Sequence, residues 1–411
     1  MVLMEAVLRL LKTPPLWIIL SISPVLSQER YPEVQNDADC DCYRTNGSVA
    51  NTFTTHKFFD FRSLDQYAGV PDVIRDPDET SQALATSDYF LTDQWNDNWA
   101  IQSWNNSELL ADNSGINDAT YLLVNSPNNV YIEANRVERD DGTTEQDGST
   151  YLTMRTARVG RFQSAAELES VAKGLHYVSV RMRARTRGAP GAVSAMFTYR
   201  PPPDDSDGLS GVQESDLEIR TSDPARNAQY TNQPSYTLEG QEVAAATRNA
   251  TLPRGLRWSD WAAYRLDWTP DRTVHYVDGD EVASIAFQNP RDPSQVFFNC
   301  WSDGGSWSGV MRRGHEAFLQ IQWIEMLFNE TDANLADAGQ KRETVSLWRD
   351  EGGCKKVCSI DESGTVGTAV LIDDGEDAEG GAVRASGLGG YWCATFWIPI
   401  LTMLATALRT I

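Results

Sequence analysis

The chain has 411 residues and carries 58 Asp and Glu against 35 Lys and Arg, a net charge of −23. That balance excludes the broad basic surface that nucleic-acid phosphates require. With 41% hydrophobic residues the chain can bury a sizeable core, which excludes wholesale disorder.

Residues 1–27 read as a secretory signal. Arg9 and Lys12 supply a basic start, Leu16-Trp17-Ile18-Ile19-Leu20 begins an apolar core, and Val25-Leu26-Ser27 precedes a cleavage point ahead of Gln28. Pro14, Pro15 and Pro24 and the shortness of the apolar run argue against a membrane span. The mature chain is therefore expected to be secreted and extracellular. Cys40 and Cys42 stand at one end of the body and Cys354 and Cys358 at the other. In an oxidising compartment they predict two bridges tying the ends together, with the pairing open. A zinc site from the same four is the weaker alternative, and Cys300 is left as a buried free thiol. Asn46, Asn105, Asn249 and Asn329 each begin an Asn-x-Ser/Thr sequon and are candidate glycosylation sites.

One body spans residues 28–360. Trp95, Trp99 and Trp104 lie in a polar stretch with Asp93, Asn96, Asn98 and Asn105, and Trp301 and Trp307 flank Ser302-Asp303-Gly304-Gly305. Aromatic rings beside amides and carboxylates suit sugars, whose faces are C–H and whose edges are hydroxyl. These five tryptophans are cleft candidates, while Trp258, Trp261, Trp268 and Trp323 are assigned to the core. Short runs rich in β-branched and aromatic residues recur at Tyr121-Val124, Val130-Glu133, Tyr151-Thr156, Tyr177-Arg185, Val193-Arg200, Asp216-Thr221, Ala263-Trp268, Thr273-Val277, Val296-Trp301 and Phe318-Glu325. Turn signals such as Ser126-Pro127-Asn128-Asn129 and Asp278-Gly279 separate them. Ala165 to Lys173 is expected as a short helix. The fold class is all-β, an antiparallel two-sheet sandwich of jelly-roll kind.

Within one predicted strand, Glu214-Ser215-Asp216-Leu217-Glu218 places three carboxylates at every second position. Side chains alternate along a strand, so all three share a face. The plain alternative is a solvated acidic face, but Gln213 and Leu217-Glu218-Ile219 read as strand interior. Two acids at different protonation states with a third between them is what glycosidic bond cleavage requires. Four strand steps of about 3.3 Å put the outer Cα atoms roughly 13 Å apart, which lets two Glu side chains approach the ~5–5.5 Å of a retaining pair. His56, His176, His275 and His315 are scattered without metal spacing and are read as structural.

Residues 361–390 are rich in Gly, Asp and Glu and read as an acidic linker with an attachment region at Gly380, Gly381, Ala382 or Ser386. Tyr391 to Leu408 is apolar, within a C-terminal segment 391–411. Small site, spacer and apolar end are the parts of a glycosylphosphatidylinositol signal. A retained transmembrane helix is the alternative, though it lacks the usual basic flank beyond it.

At this point the residues resemble glycoside hydrolase family 16, the β-glucanase relatives of concanavalin A-like lectins, and Cys40-Asp41-Cys42 with Tyr230-Thr231-Asn232-Gln233-Pro234 looks like its secreted fungal branch. Glu214-Ser215-Asp216-Leu217-Glu218 fits the family's E-x-D-x-E signature. Tyr264-Arg265-Leu266-Asp267-Trp268-Thr269-Pro270-Asp271 with His275-Tyr276-Val277-Asp278-Gly279, and Asn299-Cys300-Trp301 with Gly304-Gly305-Ser306-Trp307, are similar to two further family segments in the same order. The resemblance implies Glu214 as nucleophile, Glu218 as general acid/base and Asp216 as the helper between them. It implies retaining hydrolysis within 1,3- or 1,3(4)-β-glucan, with no NAD, nucleotide or obligatory metal; a structural calcium occurs in some relatives, and no ligand set for it stands out here. Ala195-Met196-Phe197-Thr198-Tyr199 lacks the tryptophan many relatives place in the cleft, so Tyr199 joins Trp95, Trp99, Trp104, Trp301 and Trp307 as a substrate-binding candidate. The expected partner is a polysaccharide, with a membrane reached through the C-terminal anchor, and the chain is expected to be monomeric. Two rival readings share these residues: a wall-remodelling transglycosylase and a carbohydrate-binding protein without catalysis.

Overall fold

The computed structural model describes residues 31–111, 118–138, 144–203, 211–237, 240–331 and 353–375. The expected signal and the apolar C-terminal segment lie outside the described residues. The strands in chain order begin with β1 (Cys42–Arg44), β2 (Thr52–Phe53), β3 (Thr55–Asp60), β4 (Trp99–Ile101), β5 (Leu122–Asn125), β6 (Val130–Glu138) and β7 (Thr144–Val159). They continue with β8 (Phe162–Ser170), β9 (Leu175–Gly188), β10 (Val193–Arg200), β11 (Gln213–Arg220), β12 (Asn227–Gln233) and β13 (Thr247–Thr251). The last are β14 (Ala262–Trp268), β15 (Thr273–Val277), β16 (Asp280–Ile285), β17 (Gln295–Trp301), β18 (Glu316–Glu330), β19 (Val357–Ser359) and β20 (Val370–Asp373).

The order β13-β12-β11-β10-β17-β8 forms one antiparallel run, with β4 on the far edge of β8. A second run is β7-β18-β9-β14-β15-β16, extended by β6 on β7 and by β3 on β18. Strand β8 joins the two. Its first half pairs with β7 through Ala157 and Ser164, and its second half pairs with β17 through Asn299 and Glu167. The result is the expected jelly-roll sandwich.

Alternation explains what lies between the sheets. On β11, Leu217 and Ile219 are buried and meet Met196 of β10, Phe298 of β17 and Leu168 of β8. From the other sheet Val178, Val180 and Met182 of β9, Leu266 and Trp268 of β14, and Ile321 and Ile324 of β18 complete the same core. Burying a side chain of this size is worth about 1.5–3 kcal/mol, and the parity that sends Leu217 inward sends its acidic neighbours outward.

Three expectations are corrected. Ala165 to Lys173 is not a helix; residues 162–170 are β8. Its helix-like spacing of Ala165, Ala166 and Leu168 is overridden because ladders to β17 and β4 satisfy both edges of its backbone. Trp95 and Trp99 are not in a cleft but in the core, each 2% exposed, packed against Phe90 and against Phe59 and Phe298 respectively. Finally, the stretch after Asp361 is not a solvated linker as far as Gly375. Strand β20 closes a small sheet in the order β2-β1-β19-β20, and Ala369 and Val370 are buried.

That small sheet brings residues 42–53 together with residues 357–373. Cys40 bonds Cys358 and Cys42 bonds Cys354, with Cα separations of 5.8 and 5.7 Å, and Cys300 is free and buried. Beside them Asp361, 6% exposed at its side chain, accepts from Arg181 at 2.7 Å and from Arg265 at 3.2 Å. Burial pushes its carboxyl up, but the two guanidiniums outweigh this and hold it below the usual 3.8. His56 likewise bridges Asp37 at 2.9 Å and Glu325 at 3.0 Å.

Candidate active site

Three carboxylates emerge on the outer face of β11. Asp216 is buried, while Glu214 and Glu218 on either side keep partial access to solvent. The register across neighbouring strands builds the site in rows. Glu214 lies between Gln233 of β12 and Tyr199 of β10, which itself pairs with Gln295 of β17. Asp216 lies between Thr231 and Phe197, and beyond Phe197 come Phe297 and Glu169. Glu218 lies between Gln229 and Ala195, followed by Asn299 and Glu167. All of these share one face because the strands are antiparallel and in register.

Under the middle row Phe197 and Phe297 stack with centroids 5.1 Å apart and planes 19° from parallel, and Tyr199 meets Phe297 edge-on at 5.8 Å. With Ala195 they form an apolar cluster separate from the sandwich core. The site therefore pairs an aromatic floor with a row of acids and amides. Around it, Trp104, 43% exposed, donates its indole N–H to Glu167 at 2.7 Å, and Trp307 donates to Glu218 at 3.1 Å. Trp301 is half-buried on β17, opposite Val193, one same-face step beyond Asn299.

Electrostatics raises all three acids. Burial raises Glu214 to about 7; a hydrogen bond from Asp216 pulls it down, and the charge of Glu167 pushes it up. Burial likewise raises Glu218 to about 7, with the Trp307 N–H opposing and Glu214 reinforcing. Asp216 is held well above its usual 3.8, first by burial and then by the charges of Glu214 and Glu218. Three carboxylates in one row, its centre buried, oppose one another's ionisation, so they titrate as a coupled set at raised pH. The Asp216 and Glu214 carboxyls share a hydrogen bond that lowers Glu214 and raises Asp216, and Gln233 Nε2 donates to Asp216 Oδ2 at 3.5 Å. Both flanking glutamates rise alike, and what differs is the neighbour of each, Asp216 at Glu214 and the Trp307 N–H at Glu218.

Of the residues singled out from sequence, Glu214, Asp216, Glu218, Tyr199 and Trp307 come together on this face, and Trp104 reaches it through Glu167. Trp95 and Trp99 do not. Glu167, Asn299, Phe197 and Phe297 were missed, although their parity on β8, β10 and β17 places them opposite the acids. Arg220 was missed as well; it continues the row at the next same-face position after Glu218. Among the sequon asparagines, Asn46, Asn105 and Asn249 are exposed. Asn329 is 6% exposed, and its Nδ2 donates to the Thr52 carbonyl at 3.2 Å, so the atom that would carry a glycan is already engaged. Among the described residues no His, Cys, Asp or Glu group is arranged to hold a metal ion. None of their helices is long and apolar enough to cross a membrane.

Residues 128–324 match the family model of Glycosyl hydrolases family 16, so the resemblance seen in the sequence holds over the stretch that carries the acid row. Among solved structures, the chain is similar to a prokaryotic β-1,3-1,4-glucanase (lichenase) from a mouse hindgut metagenome, with 18% identity and a TM-score of 0.42 over 67% of this chain and 100% of that one. It is also similar to the laminarinase catalytic domain of Thermotoga maritima MSB8 (16% identity, TM-score 0.42, 67% and 98% covered). The Bacillus licheniformis β-glucanase is a third (20% identity, TM-score 0.38, 57% and 93% covered). Values this low bear on neither substrate nor mechanism. No curated protein matches the chain.

Proposed function

We propose that this protein is a retaining glycosidase that cleaves internal bonds of 1,3- or 1,3(4)-β-glucan. The observation that carries the reading is the row Glu214, Asp216 and Glu218 on one open face, with its central member buried and the outer two partly accessible. In the first step the Glu214 carboxylate attacks the anomeric carbon, and Glu218 gives its proton to the departing glycosidic oxygen. Glu218, now ionised, takes a proton from water, whose oxygen displaces Glu214 from the anomeric carbon and returns the carboxylate. Asp216 supports both steps by hydrogen-bonding Glu214. The Phe197, Phe297 and Tyr199 surface gives sugar C–H faces an apolar floor, and Glu167, Asn299 and Gln295 give hydroxyls their partners.

The match to the family 16 model supports a glycosidase, and the resemblance of the acid row and its companion segments to that family's β-glucanases is the reason for naming β-glucans. The two disulfides and the three exposed sequons support an extracellular setting, in which the apolar C-terminus would tether the protein to the cell surface. The test is product analysis of the full secreted chain on laminarin and on mixed-linkage β-glucan, beside Glu214→Gln. Shorter oligosaccharides absent from the variant's reaction support the proposal. Products longer than the donor would instead make it a transglycosylase, and bound but unaltered glucan a lectin-like module.

A further inference from the structure

The row on β11 does not end at Glu218. Arg220 occupies the next same-face position, and its side chain is 22% exposed. Its guanidinium carbon sits 4.4 Å from the centroid of the Trp307 ring, and Nη2 is 3.4 Å from Asp223 Oδ1. The other Asp223 oxygen accepts from Gln229 Nε2 at 2.9 Å, and Gln229 is the β12 residue directly opposite Glu218. Trp307 in turn donates its indole N–H to Glu218 Oε1 at 3.1 Å. The contacts thus run from Glu218 through the indole, the guanidinium and the Asp223 carboxylate to the amide of Gln229, whose backbone faces Glu218 across the ladder.

We infer that Arg220 is a positioning residue for Glu218, fixing the Trp307 indole so that its N–H holds one oxygen of that carboxyl and leaves Oε2 to carry the transferable proton. A Trp307 ring on a loop has freedom to rotate about its χ angles, and a stacked, ion-paired guanidinium removes it. Arg220 also acts through its charge. The groups facing Glu218 are Glu214 and Asp216 on its own strand, Glu167 from β8, Asp223 beyond the strand end, and Arg220. Arg220 is the only cation among these, and it draws Glu218 down against burial and Glu214. The sequence has no basic residue between the acids; it has one at their end.

This inference rests on the glycosidase reading, so its test is built to fail separately. Arg220→Met and Arg220→Lys are compared with the wild-type full chain on two substrates. One is mixed-linkage β-glucan, whose departing sugar must be protonated. The other is a dinitrophenyl β-glycoside of a glucan oligosaccharide, whose phenolate leaves without a proton. A residue that positions Glu218 predicts a kcat/KM loss of roughly ten-fold or more on glucan and little change in kcat/KM for dinitrophenolate release, which reports bond cleavage before Glu218 is needed as a base. The alkaline limb of kcat/KM on glucan also moves to higher pH in Arg220→Met, because the neighbouring cation is gone. Lys keeps the charge but not the planar stack, so it restores the pH limb and not the glucan kcat/KM. Equal losses on both substrates, or none on glucan, would overturn the inference. The Trp307 indole N–H resonance gives a readout free of turnover. In the wild type it shifts as Glu218 titrates, and in Arg220→Met that response collapses; an unchanged response overturns the inference. If the wild type turns over neither substrate the glycosidase reading falls, and the resonance still decides the role of Arg220.

Discussion

Asp361→Ala should destabilise the folded protein by about 3–5 kcal/mol, although residue 361 lies far from the acid row and in a segment of linker-like composition. The magnitude follows from who is left behind. Arg265 would retain Asp267, at 2.7 Å through Nε and 2.5 Å through Nη2. Arg181, with a side chain 11% exposed, would keep only the Ser179 hydroxyl at 3.3 Å among its described hydrogen bonds. A buried guanidinium without a counter-charge is the expensive outcome, whereas removing both charges together is often nearly neutral. The assay is guanidinium unfolding of the disulfide-intact chain, followed by tryptophan fluorescence. A midpoint shift at constant slope is expected for Asp361→Ala, with most of it recovered in Arg181→Met/Asp361→Leu. The pH dependence is fixed in sign. The Asp361 pKa is lowered from 3.8, so its contribution is complete above that value and fades as pH falls through the lower native one. The gap between wild type and variant should therefore narrow below about pH 4. A loss under about 1 kcal/mol, the level of an exposed pair, or a double variant as unstable as the single one, would refute the reasoning.

His56 gives the opposite sign. Burial depresses its pKa, but Asp37 and Glu325 raise it to about 9, so its contribution is full below 6.5 and is lost as pH rises from there through 9; His56→Gln should abolish up to about 3 kcal/mol of that decline, read by unfolding at pH 6 and pH 9.5. Trp99→Ala should cost about 3–5 kcal/mol in an unfolding titration and leave KM for glucan unchanged, because the ring is core and not cleft; a raised KM in a stably folded variant would contradict that placement. Glu218→Gln should lose roughly 10²–10⁴ in kcat/KM on glucan but far less in kcat/KM on a dinitrophenyl glycoside, whose first step needs no proton, measured side by side.

The strand pattern and the acid row were legible because both rest on period-two alternation, which survives without tertiary information. What escaped needed partners from distant sequence. Trp95 and Trp99 looked like cleft residues because Asp93, Asn96 and Asn98 surround them in sequence, yet in space their neighbours are Phe90, Phe59 and Phe298. The segment Ala165-Ala166-Glu167-Leu168-Glu169 is built of helix formers, and only the ladders to β17 and β4 make it a strand. Misreading it also hid Glu167, whose position opposite Asn299 exists only in the sheet. Asp361 sits in a run of Gly and Asp that reads as solvated, and nothing local shows Arg181 and Arg265 waiting 180 and 96 residues earlier. Arg220 was the avoidable omission. Carrying the alternation of Glu214, Asp216 and Glu218 one step further along β11 reaches it.

The central claim is that Glu214 forms the covalent bond and Glu218 moves the proton. The direct measurement is the mass of proteolytic peptides after incubation with a 2-deoxy-2-fluoro dinitrophenyl glucan oligosaccharide, which forms the glycosyl-enzyme quickly and releases it slowly. One added glycosyl group on the peptide containing Glu214, absent in Glu214→Gln, is the predicted result. A group on Glu218 or Glu167, or turnover of glucan without any adduct, would contradict it.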